Sequence, residues 1–286
     1  MPRGIVELDL QENYISSDGL LVDWPNSIEV LNLSKNQFTT LEHTLHWPNA
    51  LRELNVSDTQ LEEIYAEELP STLEVLLLNK TNIYAIFYLP PALKRIEAYS
   101  SMLNLLPPTM PSTLEVVDFS NCVLHTLPVS WGDKLKVLNL AKNSLTEWPT
   151  GLPATLETLN LSRNYLGSVG EPPESLKVLN LCRNRIRKMP EWMHTKPILV
   201  SIADNCITVA QFPATVISSE GQWNLLVHSE TARRIQKAWR RRQMRSRLRT
   251  WRRVAAIKWD LLAVAMSPDR AGIFQCISPE WHKRSD

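Results

Sequence analysis

One short pattern recurs along the first three quarters of the chain and constrains its fold more than any other feature. Its clearest copies fit L-x-x-L-x-L-x-x-N-x-L, with another large apolar residue at some Leu positions, and lie at 28–38, 135–145, 156–166 and 176–186. Ten units can be placed in register at spacings of 20 to 23 residues, the tenth being the least regular. Their first residues are 5, 28, 51, 73, 93, 114, 135, 156, 176 and 197. A fixed period of this length predicts stacked units rather than one globular core.

The residues within each unit predict a strand followed by an irregular return. Apolar residues at positions four and six alternate with other residues, as in a short strand with one buried face. One such strand cannot bury its apolar face alone, so we expect the units to stack into a parallel sheet over a linear core. Leu-Pro and Pro-Pro pairs fall in the return segments, where proline removes an amide donor and favours extended backbone. Long helices are therefore not expected on the outer side of the repeats.

Together these residues resemble the leucine-rich repeat family over about residues 4–210. The resemblance implies an α/β solenoid, a horseshoe with short parallel strands on its concave face and a mostly irregular or polyproline convex side. It also implies that Asn at position nine hydrogen-bonds backbone groups where the chain leaves the strand, which is a structural role. Small residues replace this Asn in the middle units and are expected to do the same less fully. The position reads Asn13, Asn36, Thr59, Thr81, Ser101, Cys122, Asn143, Asn164, Asn184 and Asn205.

Positions three, five and seven of each unit should face the concave side, which is the usual working surface of this family. The least consensus-like stretch is our candidate contact patch for a protein or peptide partner. It comprises Val75, Leu77, Asn79, Arg95, Glu97, Tyr99 and Asp118. An alternative interpretation is purely structural: Val at position three supports the sheet through its β-propensity, and Asn at position five belongs to the repeat consensus.

The charge of the chain is divided between two segments of opposite sign. Its 31 Lys and Arg nearly balance 30 Asp and Glu, yet residues 228–286 carry 15 basic and 5 acidic residues. Ser229 offers a helix N-cap, and residues 231–266 contain no Gly or Pro. We therefore predict four parts: a repeat domain at 1–212, a cap and linker at 213–228, a long basic α-helix at 229–266 and an irregular tail at 267–286.

Part of the predicted helix resembles the IQ motif, which binds calmodulin or calmodulin-like light chains. The places of the motif are filled by Ile235, Gln236, Arg240, Arg245 and Leu248, with Trp239 among them. The sequence departs from the motif at the seventh place, which is usually Gly and here is Arg241. Calmodulin-like partners lay flexible apolar grooves around basic amphipathic helices. Three alternatives stay open for this helix: binding nucleic acid, binding an anionic membrane surface, and docking on the acidic repeat domain.

Sequence motifs for catalysis, cofactors and metals are absent, so we expect a non-enzymatic interaction scaffold. No phosphate loop, zinc spacing or nucleophile elbow occurs. The Leu-Pro punctuation resembles the repeats of some bacterial effectors, but those with ligase activity use a Cys-x-Asp nucleophile, whereas Cys276 precedes Ile277 and Ser278. Repeats joined to an Arg- and Trp-rich helix also resemble, in style, proteins of large DNA viruses. Cysteine spacing without pairs, and the lack of a signal peptide or long apolar run, predict an intracellular protein without a transmembrane segment. We expect it to be a monomer.

Overall fold

A single parallel sheet of short strands organises the described part of the chain. The computed structural model describes residues 4–20, 23–41, 46–64, 69–194, 196, 198–202, 204–207 and 225–226. The strands within these ranges are β1 (Glu7–Asp9), β2 (Val30–Asn32), β3 (Glu53–Asn55), β4 (Val75–Leu77), β5 (Arg95–Glu97), β6 (Val116–Asp118), β7 (Val137–Asn139), β8 (Thr158–Asn160), β9 (Val178–Asn180), β10 (Leu199–Ser201) and β11 (Leu225–Leu226). They lie in sequence order, and each pairs in parallel with the next. This stack is the parallel-strand solenoid that the repeats predict.

The strands pair in the register that the aligned repeat units predict. Position four of each unit pairs with position four of the next, as Leu138 does with Leu159 and Leu159 with Leu179. The irregular tenth unit supplies β10, whose Val200 pairs with Leu179 on one side and with Leu225 on the other. Because β11 lies in the segment for which the sequence predicts a cap, the sheet continues one strand beyond the repeats.

Leucine side chains between the sheet and the return segments form a linear core. Positions four and six are buried through the middle of the stack, and Leu138 and Leu140, for example, have no exposed surface. Aromatic rings also belong to this core: Phe38, Phe119 and Trp131 are completely buried. Burying one large apolar side chain contributes about 1.5–3 kcal/mol. The core, rather than the pairing of three-residue strands, therefore supplies most of the stability.

The return segments follow extended paths, as their prolines predict. The helical elements among the described residues are two short 3-10 helices, Ser17–Leu20 and Glu191–His194, and none of these residues is in an α-helix. The described part is therefore the expected solenoid of short parallel strands and extended returns, and the predicted helix that makes the expected class α/β falls on later residues. No helix of the described ranges is long and apolar enough to cross a bilayer. The predicted helix at 229–266, the tail at 267–286 and all of the predicted cap except β11 lie outside the described residues.

A recurrent turn brings the chain back to each strand. In seven units a proline stands three residues before position one, and its carbonyl oxygen accepts a hydrogen bond from the position-one amide at 3.0–3.2 Å. The amides belong to Ile28, Leu51, Leu73, Leu93, Leu114, Leu156 and Leu176. This is the hydrogen bond of a four-residue turn. The prolines therefore end the return at a fixed distance from the next strand, which helps to keep the repeat spacing constant.

Each unit leaves its strand through one left-handed residue. Position eight has φ between 55° and 60° in all ten units, and no glycine occupies it. This conformation costs a non-glycine residue about 1–2 kcal/mol, so other interactions must hold the backbone there. One of them is a hydrogen bond from the position-eight amide to the position-seven carbonyl of the next unit. Lys142 donates in this way to Ser162 at 2.8 Å, and Arg163 donates to Cys182 at 2.7 Å.

The Asn side chain at position nine supplies further support by joining two units. Asn143 donates through Nδ2 to the carbonyl oxygen of Leu140 in its own unit, at 3.1 Å, and of Phe119 in the preceding unit, at 2.8 Å. Its Oδ1 accepts from the amide of Leu124, also in the preceding unit, at 3.0 Å. The same arrangement recurs at Asn36, Asn164, Asn184 and Asn205. The structural role expected for these residues is confirmed.

Four units replace this Asn with a smaller side chain that makes part of the same contacts. Thr59 and Thr81 donate to the position-six carbonyl of their own unit, at 2.8 and 2.9 Å. Ser101 and Cys122 donate to the position-six carbonyl of the preceding unit, at 2.9 and 3.0 Å. The prediction that these small groups act like Asn, but less fully, is confirmed.

Replacing Asn143 with Ala should destabilise the solenoid more than replacing Thr59 with Ala. The first change removes three hydrogen bonds: it leaves the buried carbonyl of Phe119 and the amide of Leu124 without this partner, and the carbonyl of Leu140 keeps only its second donor, Asn164 at 2.9 Å. At about 1 kcal/mol per lost hydrogen bond, it should lower the free energy of unfolding by about 3 kcal/mol, against about 1 kcal/mol for Thr59→Ala. Chemical denaturation followed by circular dichroism measures both changes. Equal losses would contradict the two-unit role of Asn143.

Candidate functional site

The seven residues of the candidate patch come together on three neighbouring strands. Leu77, Glu97 and Asp118 are direct neighbours across the sheet, at the ends of β4, β5 and β6. The other members start β4 and β5 or follow two residues after them: Val75, Asn79, Arg95 and Tyr99. The structure thus brings all seven onto one surface, and their contact with a partner stays a prediction.

A buried carboxylate organises the centre of the candidate patch. Glu97 is only 5% exposed. Arg95 donates to its Oε1 through Nε at 2.9 Å and through Nη2 at 2.5 Å, and Asn79 donates to its Oε2 at 3.0 Å. The Oδ1 of Asn79 in turn accepts from the backbone amide of Tyr99 at 3.0 Å. Both oxygens of Glu97 are bonded within the protein, and the network fixes the backbone that carries Tyr99.

The carboxylate of Asp118 holds its own strand end and the next strand. One oxygen accepts from the amide and the hydroxyl of Ser120, at 3.0 and 2.7 Å, and the other accepts from Nδ2 of Asn139 at 3.0 Å. Short polar side chains readily bond backbone groups two residues further along the chain. The Asn residues at position five make this same amide contact: Asn32, Asn55, Asn139, Asn160 and Asn180. These contacts favour the structural interpretation of Asn at position five.

Burial makes the concave face less open than the sequence predicts. Glu97, Asp118 and Asn79 are each no more than 8% exposed, because their polar atoms turn towards neighbouring strands. These three residues therefore support the patch from below and offer little surface to a partner. The accessible part of the patch consists of half-buried residues: Val75, Leu77, Arg95 and Tyr99.

Leu77 and Tyr99 stand where most other units have small polar residues. Neighbouring side chains accept the hydrogen bonds of the position-seven amides in these two units. A leucine cannot accept a hydrogen bond from the position-seven amide, as Asn and Asp do in other units. The Oγ of Ser57 in the preceding unit accepts instead from the amide of Asn79, at 3.1 Å. In the next unit the position-seven amide is that of Tyr99, and it bonds Asn79. Departures of this kind from a local rule are expected at functional surfaces.

A row of charged residues runs along position two, just before each strand begins, and we call it the charge ladder. Its residues alternate in sign: Glu29, Arg52, Glu74, Lys94, Glu115, Lys136, Glu157 and Lys177. Ion pairs join most neighbours, including Arg52 with Glu74 at 2.9 Å and Lys94 with Glu74 at 2.6 Å. The signal is present in the sequence, but it becomes visible only when position two is compared from one unit to the next.

The ladder perturbs the titration of its own members. The hydrogen bond from Lys94 lowers the pKa of Glu74, and the hydrogen bond from Lys136 lowers the pKa of Glu115. The same contact with Glu115 raises the pKa of Lys136. Because these side chains are half-buried or exposed to solvent, each pair contributes little stability. The ladder matters more for the pairing of strands, since pairing a strand with the unit after the next one would place like charges side by side.

The described residues form no metal centre. Within these residues, no group of three His, Cys, Asp or Glu side chains is arranged to hold a metal ion. The two buried carboxylates of the patch, Glu97 and Asp118, are engaged by neighbouring donors of the protein itself.

Comparison with known proteins supports the repeat assignment. Residues 155–179 match the family model described as Leucine Rich Repeat. Among solved structures, YopM from Yersinia enterocolitica WA-314 is 30% identical with a TM-score of 0.56, over 72% of this chain and 48% of that one. These findings support a leucine-rich repeat protein. No curated protein matches the sequence.

Two further leucine-rich repeat structures resemble the chain. YopM from Yersinia pestis, a leucine-rich effector protein, is 25% identical with a TM-score of 0.52, over 65% of this chain and 57% of that one. A chain from the octameric complex of Latrophilin 3, Unc5D and FLRT2 is 18% identical with a TM-score of 0.57, over 80% and 85% of the two chains, and shows the fold alone. The chain therefore spans about half the length of the YopM structures. Leucine-rich repeat solenoids typically act as non-enzymatic scaffolds for protein interaction, through extended concave surfaces.

The thiol of Cys122 should be inert to alkylation, whereas that of Cys206 should react. Burial raises the pKa of Cys122 to about 12, so this thiol keeps its proton at about pH 8, and only the thiolate reacts. Cys206 is exposed. Treatment of the native protein with iodoacetamide, followed by peptide mass mapping, measures both. Denatured protein, in which both should react, is the control, and native labelling of Cys122 as fast as Cys206 would contradict its structural role.

Proposed function

We propose that this leucine-rich repeat chain is a non-enzymatic scaffold that binds a protein or peptide across β4, β5 and β6. The proposal rests mainly on Leu77 and Tyr99. They replace the small polar residues that most other units have at these positions, and neighbouring side chains accept the hydrogen bonds of the position-seven amides instead. From β7 to β9, position five is always Asn, and position seven holds the small residues Ala141, Ser162 and Cys182. A leucine and a tyrosine at these positions give β4 and β5 an apolar and aromatic surface that the later strands lack.

The accessible residues of the patch have the composition of a small interface. Tyrosine and arginine are enriched in protein interfaces and among the residues that contribute most to binding. Arg95 is already paired with Glu97, so a partner that covers it does not leave an isolated cation without its counter-charge. Apolar contacts with Val75, Leu77 and Tyr99 would then supply most of the affinity.

The hydrogen bonds beneath this surface favour binding by keeping it rigid. Glu97 holds Asn79, and Asn79 holds the backbone of Tyr99. Because the surface is ordered before a partner arrives, less conformational entropy is lost on binding.

Changing Leu77 to Asn or Tyr99 to Ser should weaken partner binding about tenfold, the loss expected for one central interface side chain. Both changes introduce residues that the repeat already uses, because Asn55 occupies position five of the preceding unit and Ser120 occupies position seven of the following one. The partner is first captured by photo-crosslinking from a benzoylphenylalanine at position 99. Its affinity for each variant is then measured by titration calorimetry.

A matched control for these variants lies on β9. Val178→Thr introduces the residue that Thr158 already provides at the same position of β8, so it should bind the partner like the wild type. Circular dichroism reports whether each variant is folded. Wild-type affinity in both Leu77→Asn and Tyr99→Ser would contradict the proposed concave site.

We further propose that residues 229–266 form a basic helix that binds a calmodulin-like protein. The support is the sequence pattern, in which 231–258 carry 12 basic residues and no acidic ones. The contacts would be made by Ile235, Gln236, Trp239, Arg240, Arg245 and Leu248. In this proposal the chain is an intracellular monomer, with the repeat domain at 1–212, the cap and linker at 213–228 and the tail at 267–286.

The full chain should bind calmodulin with a micromolar or tighter Kd in at least one calcium state, and Ile235→Glu should abolish the binding, because the apolar grooves of calmodulin take apolar anchors. Titration calorimetry with and without calcium measures this. Truncation after residue 228 removes the predicted helix and should have the same effect. Absence of binding in both calcium states would overturn the assignment.

The alternatives for this segment give different results in the same experiments. Nucleic acid binding would weaken steeply with added salt and disappear on truncation. Membrane binding would appear as sedimentation with anionic vesicles. Docking on the repeat domain would make a free 229–262 peptide bind calmodulin more tightly than the full chain does.

A further inference from the structure

The return segments of three successive units carry no charged residue. Residues 81–93, 98–114 and 119–132 contain no Asp, Glu, Lys or Arg, in a chain of which 21% is charged. By contrast, the returns at 57–72 and 181–196 each carry five or more charged residues. The middle of the solenoid thus presents an uncharged edge to solvent.

Large apolar side chains are exposed on this edge. The apolar strip, as we name it, consists of Tyr84, Phe87, Met102, Leu105 and Val123, and 42% to 61% of each residue is exposed. Backbone hydrogen bonds align the three units, because the amide of Leu105 donates to the carbonyl of Tyr84 at 3.2 Å and that of Val123 donates to Leu103 at 3.1 Å. Large apolar side chains exposed together in adjacent units are typical of an interaction site. Aromatic residues and methionine are also the types that interfaces favour.

The same edge becomes cationic in the following three units. Its cationic row consists of Lys142, Arg163 and Arg183 at position eight, followed by Arg185 and Arg187. Among the described residues, Arg183 is the one member with an acidic partner, Asp204 at 3.3 Å. Like charges at the same position of adjacent units repel each other. In the first four units position eight avoids them by alternating in sign, with ion pairs between Lys35 and Glu12 and between Lys80 and Asp58.

Position ten connects the apolar strip to the cationic row. Starting from Val123, the amides of Ser144, Tyr165 and Arg185 each donate to the position-eleven carbonyl of the preceding unit, at 2.8–3.0 Å. The guanidinium of Arg185 lies over the ring of Tyr165, 4.5 Å from its centroid. This cation–π contact orients the guanidinium plane and leaves its N–H edges available to a carboxylate.

We propose that this edge binds an acidic segment of a partner protein, with apolar side chains of the segment on the apolar strip and its carboxylates on the cationic row. Charge complementarity identifies the occupant, because the row needs an anionic ligand and the strip needs an uncharged one. Nucleic acid has a phosphate at every nucleotide and would leave those over the strip without a cation. The edge spans six units, about 24 Å at the usual strand spacing, which an extended peptide covers with about seven residues. This surface is separate from the concave patch.

Selection of random heptapeptides displayed on phage against the full chain tests the proposal. The enriched peptides should carry apolar residues at one end and Asp or Glu at the other, and their affinity should fall with salt, since part of the binding is electrostatic. Synthetic copies of these peptides are then titrated into variants by fluorescence polarisation. Enrichment of peptides without this two-part composition would overturn the proposal.

The cationic half is tested by the double variant Lys142→Glu, Arg163→Glu. Glutamate is compatible with the left-handed backbone of position eight, because Glu12 already adopts it. The variant should bind the selected peptides at least about tenfold more weakly and lose most of the salt dependence. Lys177→Glu is a control for the place of the charge: it reverses one exposed cation in the same units but at position two, where Lys177 is paired with Glu157 at 2.6 Å, and it should bind like the wild type.

The apolar half is tested by the double variant Met102→Ser, Val123→Ser, which places on position ten the residue that Ser144 already provides. It should also bind at least about tenfold more weakly, while its salt dependence stays that of the wild type. Leu77→Asn, on the concave face, should leave this binding unchanged, which separates a failure here from a failure of the concave site.

Two outcomes would overturn the proposal even if acidic peptides bind. Unchanged affinity in both double variants would mean that the peptides bind elsewhere, such as the basic residues after 228. A ten-nucleotide oligouridine that displaces the peptides at lower concentration, and that itself loses affinity in the Lys142→Glu, Arg163→Glu variant, would make nucleic acid the ligand.

Discussion

The rest of this solenoid depends on one side-chain contact: the hydrogen bonds that the side-chain amide of Asn at position nine makes with the backbone of the preceding unit. Strands of three residues make few hydrogen bonds of their own, and the turn that follows buries backbone groups that need partners. An Asn amide suits this place because it has two donors and an acceptor on a short stem. Asn143 uses both functions, donating to two carbonyl oxygens and accepting from one amide. It thereby supports the left-handed residue before it.

The contact is weakest in the middle of the stack, where the surface is most unusual. Thr81, Ser101 and Cys122 make only part of the Asn contacts, and the concave departure at Leu77 and Tyr99 lies in the same units. The apolar core is unbroken there, and full Asn contacts lie on both sides of the four substituted units, at Asn36 and Asn143. In a linear stack the stability of one unit depends mainly on its neighbours, so sound outer units allow the middle ones to depart from the repeat.

Much of the fold could be predicted from the sequence because the repeat is periodic. The register of ten strands follows from aligning Leu138 with Leu159 and their equivalents, and the prolines indicate extended returns. The burial of Glu97 and Asp118 could not be predicted, since it depends on hydrogen bonds between side chains about 20 residues apart. A pattern of outward-pointing positions identifies a face, but it does not reveal which polar groups on that face are already satisfied. The calmodulin-like assignment rests on residues after 228 and stays a prediction.

The alternating charges at position two also limit how such a chain could grow or shrink. Glu115 is paired with Lys136, and Glu157 with Lys177, so the ladder repeats every two units rather than every one. Deleting or duplicating one unit would bring two carboxylates or two ammonium groups together, whereas a change by two units would restore every pair. Adding units in pairs therefore keeps opposite charges adjacent at position two. By this electrostatic rule, gene duplication would lengthen the solenoid most easily by two units at a time.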